Sequence, residues 1–131
     1  YTDLIEGDGK KHSDALLGIC TAIAPAVSPA LEALARGEIE KYRNILEPTG
    51  PLSREIFKKP TQYYKAGITL LAWLNGMQSH FSMLKGMQSS RELNHYAEIF
   101  RLADKSNLLA QPDIAVSRMK SLLSVYGVEQ N

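Results

Sequence analysis

Cysteine is almost missing from this sequence, in which Cys20 stands alone. One cysteine excludes an internal disulfide framework and any zinc site built from several cysteines. It fits a reducing, cytoplasmic compartment. Charge of one sign is missing too. Lys and Arg number 15 against 14 Asp and Glu, for a formal net charge of +1, which argues against a broad basic face for nucleic acid. Long apolar runs are also lacking. The longest helix-like stretch, residues 66–74, contains Gly67 and Thr69 and falls far short of the ~18 apolar residues of a membrane span. Valine is scarce at 4, against 17 Leu and 13 Ala. Straight-chain and small residues favour helix and β-branched ones favour strand, so a mostly α chain is expected. At 131 residues and 44% hydrophobic content the chain is at most one domain with enough apolar surface for a core. It opens at Tyr1, without an initiator Met or a signal-peptide pattern, and so reads like the middle of a gene product.

Turn chemistry makes residues 7–13 a loop after a short helical turn near 3–6. The apolar run 15–23 is bounded by that loop and by Pro25. Gly18, Ile19, Thr21 and Ile23 suggest a short buried strand near 18–22, following a helical 14–17. Helical signals dominate beyond it. Ser28-Pro29 fits a cap followed by Pro at the first helical position, and Gly37 is a stop. Helices follow over 38–46, closed by Pro48, and over 51–57, ended by Pro60. The strongest helical pattern is 61–75, with Tyr64, Ile68, Leu71 and Asn75 on one side and Gly76 as cap. Gly67 lies inside it, which implies close packing against a neighbour. Residues 77–88 are irregular. Ser89-Ser90-Arg91-Glu92 reads as a capping box for a helix over 90–105 with Leu93, Tyr96, Ala97, Phe100 and Ala103 facing inward. Pro112 opens the last helix, which carries Ala115, Met119, Leu122, Leu123 and Tyr126 and stops at Gly127.

Candidate chemistry is sparse. His12, His80 and His95 lack metal-ligand spacing and read as solvent-facing or hydrogen-bonded, so no metal is expected. Cys20 reads as an inert core thiol. Gly7-Asp8-Gly9 is a loop tip rather than a phosphate cradle. Glu32, Glu38, Glu40, Glu47, Glu55, Glu92 and Glu98 read as solvated helix faces. Lys58-Lys59 is too small a patch to track phosphates. Lys65, beside Tyr63 and Tyr64, invites a Schiff-base reading. On an amphipathic helix, however, the tyrosines pack and the lysine snorkels. No set of nucleophile, base and orienting group emerges.

Several segments, in order, resemble the C-terminal portion of the dihydrodipicolinate synthase / N-acetylneuraminate lyase family, and most closely a dihydrodipicolinate synthase-like bacterial subgroup. They are His12-Ser13-Asp14-Ala15-Leu16-Leu17-Gly18-Ile19, Ala22-Ile23-Ala24-Pro25, Pro51-Leu52-Ser53-Arg54, Pro60-Thr61-Gln62-Tyr63-Tyr64-Lys65 and Leu71-Ala72-Trp73-Leu74-Asn75-Gly76. Gly86-Met87-Gln88-Ser89-Ser90-Arg91 and Phe100-Arg101-Leu102-Ala103-Asp104 continue the run. The resemblance implies a (β/α)8 TIM barrel with a C-terminal helical extension. Residues 1–36 would hold the end of the barrel, with its last strand at about 18–22 and its helix at about 29–36. Residues 37–131 would be the extension. It also implies class I aldolase or lyase chemistry on a small 2-oxo acid, through a Schiff-base lysine on a strand outside this chain. Lys65 matches a position in the extension, not that lysine. No catalytic residue and no cofactor is then expected in the chain, which would not be catalytic alone. Cys20, Thr21 and Ala22, at the carboxyl end of the strand, become candidates for the substrate rim. The expected partners are the remainder of the barrel or further copies in an oligomer, with no nucleic acid and no membrane. A barrel needs about 250 residues, and one strand cannot satisfy its own ladder bonds. The alternative is a non-enzymatic helical interaction module.

Overall fold

A computed structural model describes residues 1–14 and 18–129. Its elements are helices joined by turns, with no strand among the described residues. They fall into two units, Tyr1–Gly50 and Pro51–Asn131.

The first unit holds α1 (Thr2–Glu6), α2 (Gly18–Ala22), α3 (Ala24–Ala35), α4 (Ile39–Leu46) and a 3-10 turn over Glu47–Thr49. The strand expected at 18–22 is α2. Burial shows why. A strand would send Ile19, Thr21 and Ile23 to one side, but Ile19 and Ile23 are buried and Thr21 is exposed. That is the four-residue repeat of a helix, continued by Val27. With no strand beside it among the described residues, an extended 18–22 would leave its ladder groups unpaired. The helix meets them internally, and Ile23 N donates to Ile19 O at 3.2 Å. The helical turn expected over 14–17 falls on residues 15–17, outside the described residues.

Helix α3 starts five residues earlier than the Ser28-Pro29 signal suggested. Pro25 takes the early position and Pro29 lies inside the helix. Pro29 cannot donate to the carbonyl of Pro25, and both prolines lie on the exposed side of the helix. Val27, Ala30 and Ala33 form the buried stripe of α3, small enough for α4 to pack closely against it. The turn between them is a Schellman motif. Gly37 is left-handed at φ 77, Glu38 N donates to Ala33 O at 2.9 Å and Gly37 N to Leu34 O at 2.9 Å. Buried Tyr42 on α4 donates its hydroxyl to Thr2 O at 2.8 Å, and Arg43 grips Glu6 through both carboxylate oxygens at 2.8 and 2.6 Å. These contacts fix α1 to α4.

The second unit contains α5 (Gly50–Phe57, beginning at the last residue of the first unit), α6 (Lys65–Leu74), α7 (Leu93–Lys105) and α8 (Pro112–Val125). A 3-10 turn over Thr61–Tyr63 leads into α6, and another over Leu84–Ser90 precedes α7. Helices α6, α7 and α8 pack against one another. The buried stripe of α6 is Ala66, Gly67, Leu70, Leu71 and Leu74, rotated from the expected Tyr64–Ile68–Leu71–Asn75 line. Gly67 lies in the first turn of α6. A Cβ there would lie 2.9 Å from Ile99 Cδ1 and 3.2 Å from Ile56 Cγ1, so the missing side chain lets α6 approach both neighbours. Asn75 is not a core residue but a clasp. It donates to Leu108 O at 3.0 Å and accepts from Ala110 N at 2.7 Å, holding the α7–α8 connection to the end of α6.

The capping box does not form. Ser90 Oγ donates backward to Met87 O at 2.6 Å, and α7 begins only at Leu93, with no side-chain cap. Arg91 is extended and turns its side chain inward, so the helix starts after it. The buried residues of α7 are His95, Tyr96, Ile99 and Ala103. His95 and Ile99 therefore take places expected for Leu93, Ala97 and Phe100.

Candidate functional site

The structure places the rim candidates on α2. Cys20 and Ala22 are half-buried and Thr21 is exposed. Successive helical positions diverge by about 100°, so the three do not converge on one point. Burial raises the Tyr42 phenol to about 12, with the nearby Glu6 and Asp3 charges adding to it. Lys65 is exposed at the first turn of α6, while Tyr64 stacks on Phe57 with ring centroids 4.7 Å apart. Both follow the packing reading of that segment. His12 and His80 are exposed. No group of three or more metal-ligating side chains occurs among the described residues, and no helix among them is long and apolar enough to cross a membrane.

The densest polar constellation lies in the second unit, where α5 meets the start of α7. Residues 52 and 56 of α5 are buried leucine and isoleucine, which draws Glu55, between them, partly inward. Its Oε1 meets His95 Nδ1 at 2.7 Å and Lys58 Nζ at 2.5 Å. Glu55 was expected to be a solvated carboxylate and is instead half-buried and engaged. Burial alone pushes its carboxyl up, but the hydrogen bonds from Lys58 and His95 outweigh that and hold it below the usual range. Glu55 is therefore an anion at neutral pH and accepts only. The shared proton sits on His95 Nδ1, which leaves Nε2 as the lone-pair nitrogen. That nitrogen is buried, with no hydrogen-bond partner among the described residues. Burial holds the imidazole below its usual range, against the pull of Glu55. His95 is thus a neutral donor joining α7 to α5.

Arg91 completes the cluster. It is only 8% exposed, yet its guanidinium meets carbonyls rather than a carboxylate. It donates to Lys58 O at 2.7 Å, Pro60 O at 2.9 Å and Lys59 O at 3.2 Å. These carbonyls belong to the three residues that follow α5, so Arg91 ties the segment after that helix to the segment before α7. Sequence reasoning kept His95 among the hydrogen-bonded histidines but missed this partnership. One signal was available: His95, Ile99 and Ala103 repeat every four residues along α7, which puts the histidine on the core stripe.

A second feature is an open cleft of about 430 Å³ lined by Trp73, Phe81, Gln88, Leu122, Val125 and Tyr126, among others. Trp73 already has two partners on its ring. Phe81 stacks on it at 5.8 Å, and the Arg118 guanidinium lies 5.8 Å from its ring centroid. Tyr96 donates its hydroxyl to Gln88 O, and burial raises that phenol to about 12.

The chain belongs to the DUF993 family, described as proteins of unknown function, whose family model matches residues 1–128. No curated protein matches the chain.

Proposed function

We propose that this chain is the C-terminal part of a dihydrodipicolinate synthase-like aldolase or lyase, in which a lysine outside these residues forms a Schiff base with a 2-oxo acid. The observation that carries this reading is the ordered run of matching segments from residue 12 to residue 104. On this reading, residues 1–36 close a (β/α)8 barrel and residues 37–131 form its helical extension. The helix at 18–22 is then the conformation of that segment without neighbouring strands. The polar side chains of the second unit support a packing role. Glu55 is held by Lys58 and His95, Arg91 is spent on three carbonyls, and Lys65 lies at the surface.

A second reading, a helical interaction module without catalysis, draws on exposed apolar side chains. Leu84 is 91% exposed, Val125 82% and Met77 66%, and such groups favour contact with another protein when they cluster. Denaturing intact mass of the natural gene product separates the two. A barrel of about 250 residues joined to this extension gives a covalent chain near 40 kDa. A natural product of 14.5 kDa, the mass of this chain alone, would overturn the aldolase reading and favour the module.

A further inference from the structure

We propose that the contact between Glu55 and His95 is an acid-operated latch: neutral His95 ties α5 to α7, and an imidazolium at the same place releases residues 55–60 from α7. The geometry sets the direction. A neutral imidazole with its proton on Nδ1 satisfies the acceptor Glu55 Oε1 at 2.7 Å. The second proton must go to Nε2, which is buried with no acceptor within reach among the described residues. An unmet buried donor is costly, and a charged one more so.

The charges around the ring do not compensate. Those acting on His95 are Glu55 and Lys58 from α5 and the segment after it, and Arg91 from the segment before α7. Glu55 attracts an imidazolium, but Lys58 already meets the same oxygen at 2.5 Å. An imidazolium would be a second cation on one carboxylate oxygen, with the Arg91 charge also acting on the ring. Helices α6 and α8 add no charge from their buried faces, where α6 presents Ala66, Gly67, Leu70, Leu71 and Leu74 and α8 presents Ala115, Met119 and Leu122. The Tyr96 ring, 5.7 Å away and tilted, is the aromatic neighbour. Repulsion from the new cation also acts on Arg91, the residue that holds the carbonyls of residues 58–60. Both ties between the end of α5 and the start of α7 therefore weaken together.

The sign follows from proton linkage. An unfolded or opened histidine takes its proton near pH 6.5, and the latched one takes it only at lower pH. Latching is complete above about pH 6.5 and is lost as the pH falls through the His95 titration. The test uses the 131-residue chain. Imidazole proton shifts are followed by NMR from about pH 8 to pH 5, alongside amide-exchange protection factors. His95 should titrate below the ordinary histidine value of about 6.5. Protection over the amides of residues 55–59 should drop at least tenfold as it does so, while α8 keeps its own. In His95→Asn the side-chain amide still donates to Glu55 but cannot titrate, and protection should become flat with pH. Titration of His95 at or above the ordinary value of about 6.5, or unchanged protection while it titrates, would overturn the latch. The same pH-dependent opening in His95→Asn would overturn it as well. The wild-type titration decides the matter even if the variant does not fold.

Discussion

Replacing Gly67 by alanine sets two effects of known size against each other. Gly67 lies in the first turn of α6, where alanine is favoured over glycine by at most the helix-interior value of about 1 kcal/mol. Against this stands crowding. The new Cβ would lie 2.9 Å from Ile99 Cδ1 and 3.2 and 3.4 Å from two Ile56 carbons. Ile99 Cδ1 is the far end of a flexible side chain, but Ile99 and Ile56 are both fully buried, so neither has free space to turn into. Overpacking of this kind costs about 1–3 kcal/mol. The net expectation is a loss of roughly 0–2 kcal/mol, and a larger loss for Gly67→Leu. Urea denaturation reads the difference directly, provided the slope is unchanged. A double-mutant cycle isolates the cause. Ile99→Val deletes the Cδ1 atom at 2.9 Å, so Gly67→Ala should be less harmful in the Ile99→Val background than alone, with a coupling of about 0.5–1 kcal/mol. A clear gain in stability for Gly67→Ala in the wild-type background would refute the close approach of α6 to α5 and α7.

Asn75→Ala removes both clasp contacts, to Leu108 O and Ala110 N. Leu108 is buried, so an unmet carbonyl there should cost about 1–2 kcal/mol in the same assay. Asn75→Asp, which keeps the acceptor for Ala110 N, should not restore the donor to Leu108. Spectrophotometric titration of the six tyrosines should leave Tyr42 and Tyr96 un-ionised until about pH 12. Burial favours their neutral form in the folded chain, so the associated stability is full below the unfolded value of about 10 and lost as the pH rises through about 12. Ionisation of all six together near pH 10 without unfolding would contradict the burial of these two phenols.

Much of the helical layout is legible in local chemistry. Gly37, Gly76 and Gly127 mark helix ends, and each adopts the left-handed conformation that the signal requires. Pro112 opens α8, and the inward placement of Gly67 follows from its spacing to Leu71. The failures have physical causes. The apolar run at 18–22 offers no polar contrast, so its period could be told only from burial, which exposes Thr21. The capping-box pattern at 89–92 lost to a tertiary demand, because Arg91 must be extended to reach the carbonyls of residues 58–60. Glu55 and His95 lie 40 residues apart, and no local pattern joins them. The rim candidates Cys20, Thr21 and Ala22 came from the family resemblance rather than from any feature of their own.

Borohydride trapping with pyruvate, followed by peptide mapping, is the most direct test of where the chemistry resides. The full-length natural product and the 131-residue chain are treated side by side. The proposed role requires a reduced adduct on a single lysine of the full-length protein, outside these residues, and none on the isolated chain, whose Lys65 is exposed at the start of α6. Stoichiometric labelling of Lys65, or of any lysine within the chain, would contradict it.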